Sequence, residues 1–187
     1  MKNRARAYGF TLLELMVALV VVSILLTVGL PSFSASVRQN CTITAANTLL
    51  TVLTAARSEA LKRDRNVGIC KSTDGVACAT GSAVTWDRGY LMYVDLDGDG
   101  ERDAAESVLR TEVPLTTCAS ITTTSHFANR MYYGGLGKPN IGGSFTAVAN
   151  DSAAIRRRVV ISPTGRPRVC NPDQAVSSDG TPCGSTP

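Results

Sequence analysis

The chain opens on an apolar run that has no polar face. Over residues 10–30, FTLLELMVALVVVSILLTVGL, only Thr11, Glu14, Ser23 and Thr27 interrupt 21 residues. As a helix at 1.5 Å per residue, such a run spans roughly 30 Å, the thickness of a hydrocarbon core. Beyond Pro31 the pattern changes. Ala45, Leu49, Val52, Leu53, Ala56 and Ala60 recur at spacings of three and four, one apolar stripe, which predicts that the helix continues in amphipathic form to about Arg65. Lys62, Arg63 and Arg65 then fall in its last turn, where cations complement the helix dipole. After that the period shortens. Residues 67–70, 89–95, 107–113, 120–125, 130–133, 144–149 and 155–161 are short stretches of β-branched or aromatic side chains, separated by Gly, Asp, Asn and Pro. They predict antiparallel strands in two small sheets over the helix, an α+β fold.

Three cations, Lys2, Arg4 and Arg6, precede the apolar run. A secretory signal would have a shorter apolar region followed by a small-residue cleavage site, and neither fits. The plain alternative is a single-pass anchor with its basic end in the cytoplasm. Glu14 argues against a plain anchor, because a carboxylate in lipid is expensive and usually has a partner or a function. The stretch Gly9-Phe10-Thr11-Leu12-Leu13-Glu14 resembles the processing site of type IV pilins and type II secretion pseudopilins. That resemblance implies cleavage by a prepilin peptidase between Gly9 and Phe10, methylation of Phe10, and a Glu14 carboxylate that pairs with the N-terminus of a neighbouring pilin subunit. It also implies a helix-bending role for Pro31, and an inner-membrane subunit with a periplasmic globular domain that later joins a pilus. The expected organisation is a leader over 1–9, a membrane or filament-core helix over 10–30, its amphipathic continuation over 31–65, a β-rich domain over 66–170 and a tail over 171–187.

Cleavage changes the charge argument. The chain holds 19 Lys plus Arg against 15 Asp plus Glu; without the three leader cations the balance falls from +4 to +1. Evidence for an anionic partner must therefore be local. The six cysteines are an even number in a domain that the anchor would place in an oxidising compartment, and six allow fifteen connectivities. The expected pairs are Cys70 with Cys78, closing a turn around Ser72, Thr73, Asp74 and Gly75; Cys170 with Cys183, stapling the tail to the last strand; and, by remainder, Cys41 with Cys118. Zinc is disfavoured, since there is no C-x-x-C pair and only one histidine.

Trp86-Asp87-Arg88-Gly89-Tyr90 and Val94-Asp95, followed by an acidic Gly-rich loop and then Glu106 to Arg110, resemble the globular domain of the GspH/FimT group of minor pilins. The loop itself offers Asp95, Asp97, Asp99 and Glu106 at the spacing of a calcium-binding loop. A strand enters and a strand leaves it, however, and Arg102 takes a position that is usually apolar. An Asp- and Gly-rich hairpin end has the same composition.

Residues 155–168 hold five arginines and no acid among fourteen residues. Clustered guanidinium forks match phosphate oxygens. On a strand, Arg156 and Arg158 share a face and Arg157 points away. In Gly165-Arg166-Pro167-Arg168 the turn residues leave two arginines on an exposed connection. This sequence looks like the C-terminal Gly-Arg-x-Arg motif of FimT-type minor pilins, implicated in capturing DNA during natural transformation. The resemblance makes Arg166 and Arg168 the phosphate contacts for double-stranded DNA, with Arg158 and Arg156 as extensions. The alternative is that these arginines are solvated edge charges or ion-pair partners. Nothing in the sequence reads bases, so binding would be sequence-independent and salt-dependent.

No catalytic residue, cofactor or resident metal is expected. His126 stands alone in a Thr- and Ser-rich stretch, and Gly134-Gly135-Leu136-Gly137-Lys138 lacks a phosphate-loop pattern and a following helix. The functional readings are a DNA-binding minor pilin, a structural tip or priming subunit of a pilus or type II secretion pseudopilus, and a calcium-dependent surface protein.

Overall fold

A single helix, α1, runs Leu12–Arg63 and opens on a side-chain cap: the Glu14 amide donates to Thr11 Oγ1 at 3.2 Å. The computed structural model describes residues 10–124, 127–173 and 183, with the backbone alone for residues 28–32. Gly9 and His126 therefore lie outside the described residues, as does the side chain of Pro31. The backbone of α1 is helical through position 31.

The chain divides into two units, Met1–Val37 and Arg38–Pro187. In the first, the described apolar side chains from Phe10 to Leu26 are exposed on every side of the helix. Its hydroxyls bond back to the helix, Ser23 to the Val20 carbonyl and Thr27 to the Ile24 carbonyl, each at 2.8 Å. They thus ask nothing of the surroundings. Among the described residues no helix is long and apolar enough to cross a membrane. The helical part of the run with described side chains, Leu12 to Thr27, is 16 residues, short of the roughly 20 that a span requires.

In the second unit the predicted stripe is buried from Ala45 to Ala60 and forms one wall of the core. The helix stops at Arg63 rather than Arg65, because Asp64 takes a left-handed φ of 50°. Arg65 thus lies outside the last turn, while Lys62 and Arg63 both bond Glu59, at 3.1 and 2.9 Å. The Arg63 and Lys62 bonds hold the Glu59 carboxyl below its ordinary pKa.

Two four-stranded antiparallel sheets face α1. Sheet A has the order β3-β2-β1-β5, with β1 Asn66–Lys71, β2 Tyr90–Asp95, β3 Val108–Glu112 and β5 Arg130–Tyr133. Sheet B has the order β4-β6-β7-β8, with β4 Ala119–Thr123, β6 Gly143–Ala149, β7 Ser152–Ile161 and β8 Pro167–Cys170. The core gathers Leu49, Val52 and Leu53 of α1, Val67, Ile69 and Met92 of sheet A, and Ile121, Phe145 and Val159 of sheet B. A 3-10 turn at Trp86–Arg88 ties the sheets together. Trp86 Nε1 donates to the Phe127 carbonyl at 3.0 Å and its ring meets Phe145 edge-on, while the Ile121 amide donates to Asp87 Oδ1 at 3.1 Å.

Strand β8 is absent from the sequence expectation, which places its residues on an exposed connection. It is a four-residue edge strand that begins with proline, the position where a strand tolerates that residue.

Disulfides join Cys41 to Cys118, Cys70 to Cys78 and Cys170 to Cys183. The first links α1 to the residue before β4. Inside the second, Asp74 Oδ1 accepts from the amides of Val76 and Ala77 at 2.8 and 3.0 Å, and from Ser72 Oγ at 3.1 Å.

Candidate functional site

The turn between β7 and β8 positions the C-terminal arginines. It closes on the amide of Gly165 donating to the Ser162 carbonyl at 2.8 Å and the amide of Ser162 donating to the Arg166 carbonyl at 3.1 Å. Gly165 has φ +84°, and a Cβ there would stand 2.0 Å from the Gly137 carbonyl oxygen. Glycine is therefore needed for both backbone angle and clearance. Arg57 of α1 braces the same place. Its Nε donates to the Gly137 carbonyl at 3.0 Å and its Nη2 to the Thr164 carbonyl at 3.1 Å. One helix side chain thus locks two loops together, 80 and 107 residues away in sequence.

On this fixed turn Arg166 is exposed. Arg168 is not on the connection; it lies half-buried on β8 opposite Val160 of β7. The register places Cys170 opposite Arg158, Thr146 opposite Arg158 and Val148 opposite Arg156. Since Val159 and Ile161 face the core, Arg156, Arg158, Val160 and Arg168 take the outer face of sheet B. Arg157 has the opposite parity and folds its Nη1 onto the Arg156 carbonyl at 3.0 Å.

Arg156 and Arg158 are both engaged by C-terminal residues. Arg156 pairs with Asp173, Nη2 to Oδ1 at 2.6 Å and Nε to the same oxygen at 3.2 Å. Arg158 donates Nη1 to the Cys183 carbonyl at 3.2 Å. Among the described residues, its buried Nε has no hydrogen-bond partner. The ion-pair alternative weighed from sequence thus describes Arg156, while Arg166 makes no ion pair among the described residues.

The acidic loop folds as a hairpin end. Asp95, Asp97 and Asp99 each bring an oxygen within 4.8 Å of the others. Glu106 does not join them, because Oε1 accepts from the Leu96 amide at 2.6 Å and Oε2 from the Asp103 amide at 3.0 Å. Asp95, which does join them, also accepts from the amides of Gly98 and Gly100, at 2.7 and 3.1 Å. The two acids at the ends of that spacing, Asp95 and Glu106, both accept from backbone amides that close the turn.

Sequence reasoning missed Arg57, Asp173 and the Cys183 carbonyl. Their contacts are long-range and leave no local signal. Gly137 did carry one, since a glycine-rich segment marks a close backbone approach.

A long N-terminal helix whose second half packs under antiparallel sheets, opened by a Thr11-capped turn that carries Glu14, defines a pilin-like subunit. Residues 4–30 match the prokaryotic N-terminal methylation motif. Residues 45–165 match the Type II transport protein GspH family. The chain belongs to that family, within the group of type IV minor pilins and pseudopilins. Arg166 and Arg168 lie immediately past the matched segment.

Among curated proteins, the pilin-like protein PilA1 of Thermus thermophilus is 34% identical over 98 residues, covering 52% of this chain. The match spans about half of that relative's length, 54%. Two crystal structures of the type IV minor pilin FimU of Pseudomonas aeruginosa share the fold at 21% identity. One has a TM-score of 0.56 over 71% of this chain and 90% of FimU, the other 0.52 over 68% and 90%.

Proposed function

We propose that this chain is a FimT-type minor pilin that binds double-stranded DNA without sequence preference through Arg166 and Arg168, for DNA uptake in natural transformation. The observation that carries the reading is the braced turn. Arg57, Gly137 and Gly165 hold the backbone that presents Arg166, so little ordering is required when a phosphate arrives. Arg168 follows on the same outer sheet face. In this reading prepilin peptidase removes residues 1–9 and methylates Phe10, α1 holds the subunit in the inner membrane with Arg38–Pro187 in the periplasm, and Glu14 pairs with the end of a neighbouring pilin during assembly. The family's description favours a second reading, a structural subunit of a pilus tip or type II secretion pseudopilus that does not bind DNA.

Fluorescence anisotropy with a labelled duplex separates the two. The chain in detergent should bind in the micromolar range at low salt. Arg166→Gln with Arg168→Gln should remove measurable binding, lower the slope of log K against log salt by about two, and leave the melting temperature unchanged. Absence of native binding at low salt would select the structural reading.

A further inference from the structure

The outer face of sheet B holds a second pair of arginines, and two residues from beyond β8, Asp173 and Cys183, sit on them. Arg156 and Arg158 share that face with Val160 and Arg168. Val160 packs with Cys170 and Cys183, and the disulfide between these cysteines fixes the Cys183 carbonyl against Arg158. Three residues beyond Cys170, Asp173 meets Arg156.

The contacts use these guanidinium groups poorly. Arg156 directs two nitrogens at a single oxygen of Asp173, although a guanidinium fork can donate two parallel bonds to two oxygens. Arg158 spends one nitrogen on a neutral carbonyl, and its buried Nε is unmatched among the described residues. A phosphodiester group offers two unesterified oxygens and a full negative charge, and so supplies the second oxygen that Arg156 lacks and the charge that the neutral carbonyl on Arg158 lacks. The Arg156–Asp173 pair is about half exposed on each side, 44% and 48%, the class of ion pair that solvent screening leaves weak enough to displace.

We propose that Arg156 and Arg158 form a phosphate subsite continuing the track of Arg166 and Arg168, and that Asp173 occupies this subsite in the free protein as an internal competitor. The inference rests on the DNA-binding reading and adds its regulation. A nucleic-acid backbone engages the exposed Arg166 first and must displace the Asp173 carboxylate before it reaches Arg156. The tail thereby weakens general anion binding. A long polyanion, which gains several contacts together, can outcompete one carboxylate where a single small anion cannot.

The test uses the full chain in detergent and a labelled DNA duplex titrated at several salt concentrations. Asp173→Asn should tighten binding about threefold to tenfold at 0.1 M salt and steepen the slope of log K against log salt by about one. Asp173→Ser should do the same. Adding Arg156→Gln to Asp173→Asn should cancel both the gain and the extra slope, with the melting temperature checked throughout. If the native chain binds and Asp173→Asn neither tightens binding nor changes the slope, the subsite is refuted while the DNA reading stands. If the native chain does not bind but Asp173→Asn does, through Arg156, the subsite stands and the reading of the native chain fails. Binding by neither overturns both.

Discussion

Gly165 sets the cost of altering the arginine turn. Alanine there has to adopt φ +84° and place its Cβ 2.0 Å from the Gly137 oxygen. Gly165→Ala should therefore cost about 1–3 kcal/mol in urea unfolding, and it should weaken DNA binding without removing a charge. A variant that is less stable but binds as tightly would show that the turn's geometry does not serve the arginines. Asp74 gives a second residue-scale expectation, through pH. The backbone amides of Ala77 and Val76, then the Ser72 hydroxyl, hold its carboxyl below the ordinary value of 3.8. Because the folded pKa is depressed, the unfolded chain binds more protons as pH falls. The stabilisation is complete above the unfolded value and is lost as pH drops through the lower folded one. Melting temperature followed from pH 5 to pH 2 should fall less steeply in Asp74→Asn than in the native chain.

The disulfides rank the elements by how far they reach. Cys41–Cys118 closes a separation of 77 residues and Cys70–Cys78 one of 8. If constraint of the unfolded chain dominates, removing the first by paired serine substitution should cost about 4–5 kcal/mol and the second about 2–3 kcal/mol, read as urea midpoints. Elements were legible in the sequence where the pattern was local. The stripe from Ala45 to Ala60 gave the buried side of α1, and 130–133 gave the bounds of β5 as observed. The pattern failed at β8, where Pro167 and the turn residues hide a four-residue edge strand paired with β7. It also could not show that β4, lying between β3 and β5 in the chain, belongs to the other sheet. That choice depends on side chains brought together by folding, among them Asp87 with the Ile121 amide.

At the scale of the molecule, the site was half legible. Arg166 and Arg168 could be named because glycine and proline punctuate them. Their surroundings could not be, because Arg57 reaches them across 107 residues and Asp173 depends on the chain returning along sheet B. Charge follows the same logic. A formal net charge of only +4 over 187 residues is compatible with a basic outer face of sheet B because acids lie elsewhere, Asp95 and Glu106 among them at the closing of a hairpin. Whether the surface is open or partly self-neutralised then turns on one carboxylate.

The bond between Cys41 and Cys118 has a mechanical meaning as well. A pull applied to α1 ahead of Cys41 passes through covalent bonds directly to Cys118 and into β4, whatever the state of the packing. The intervening segment carries the rest of α1 after Cys41, then β1, β2, β3 and the Cys70–Cys78 loop, and all of it lies off the load path. Tension along the chain is thus borne by α1 up to Cys41, by β5 and by sheet B, while the other three strands of sheet A hang slack beside them.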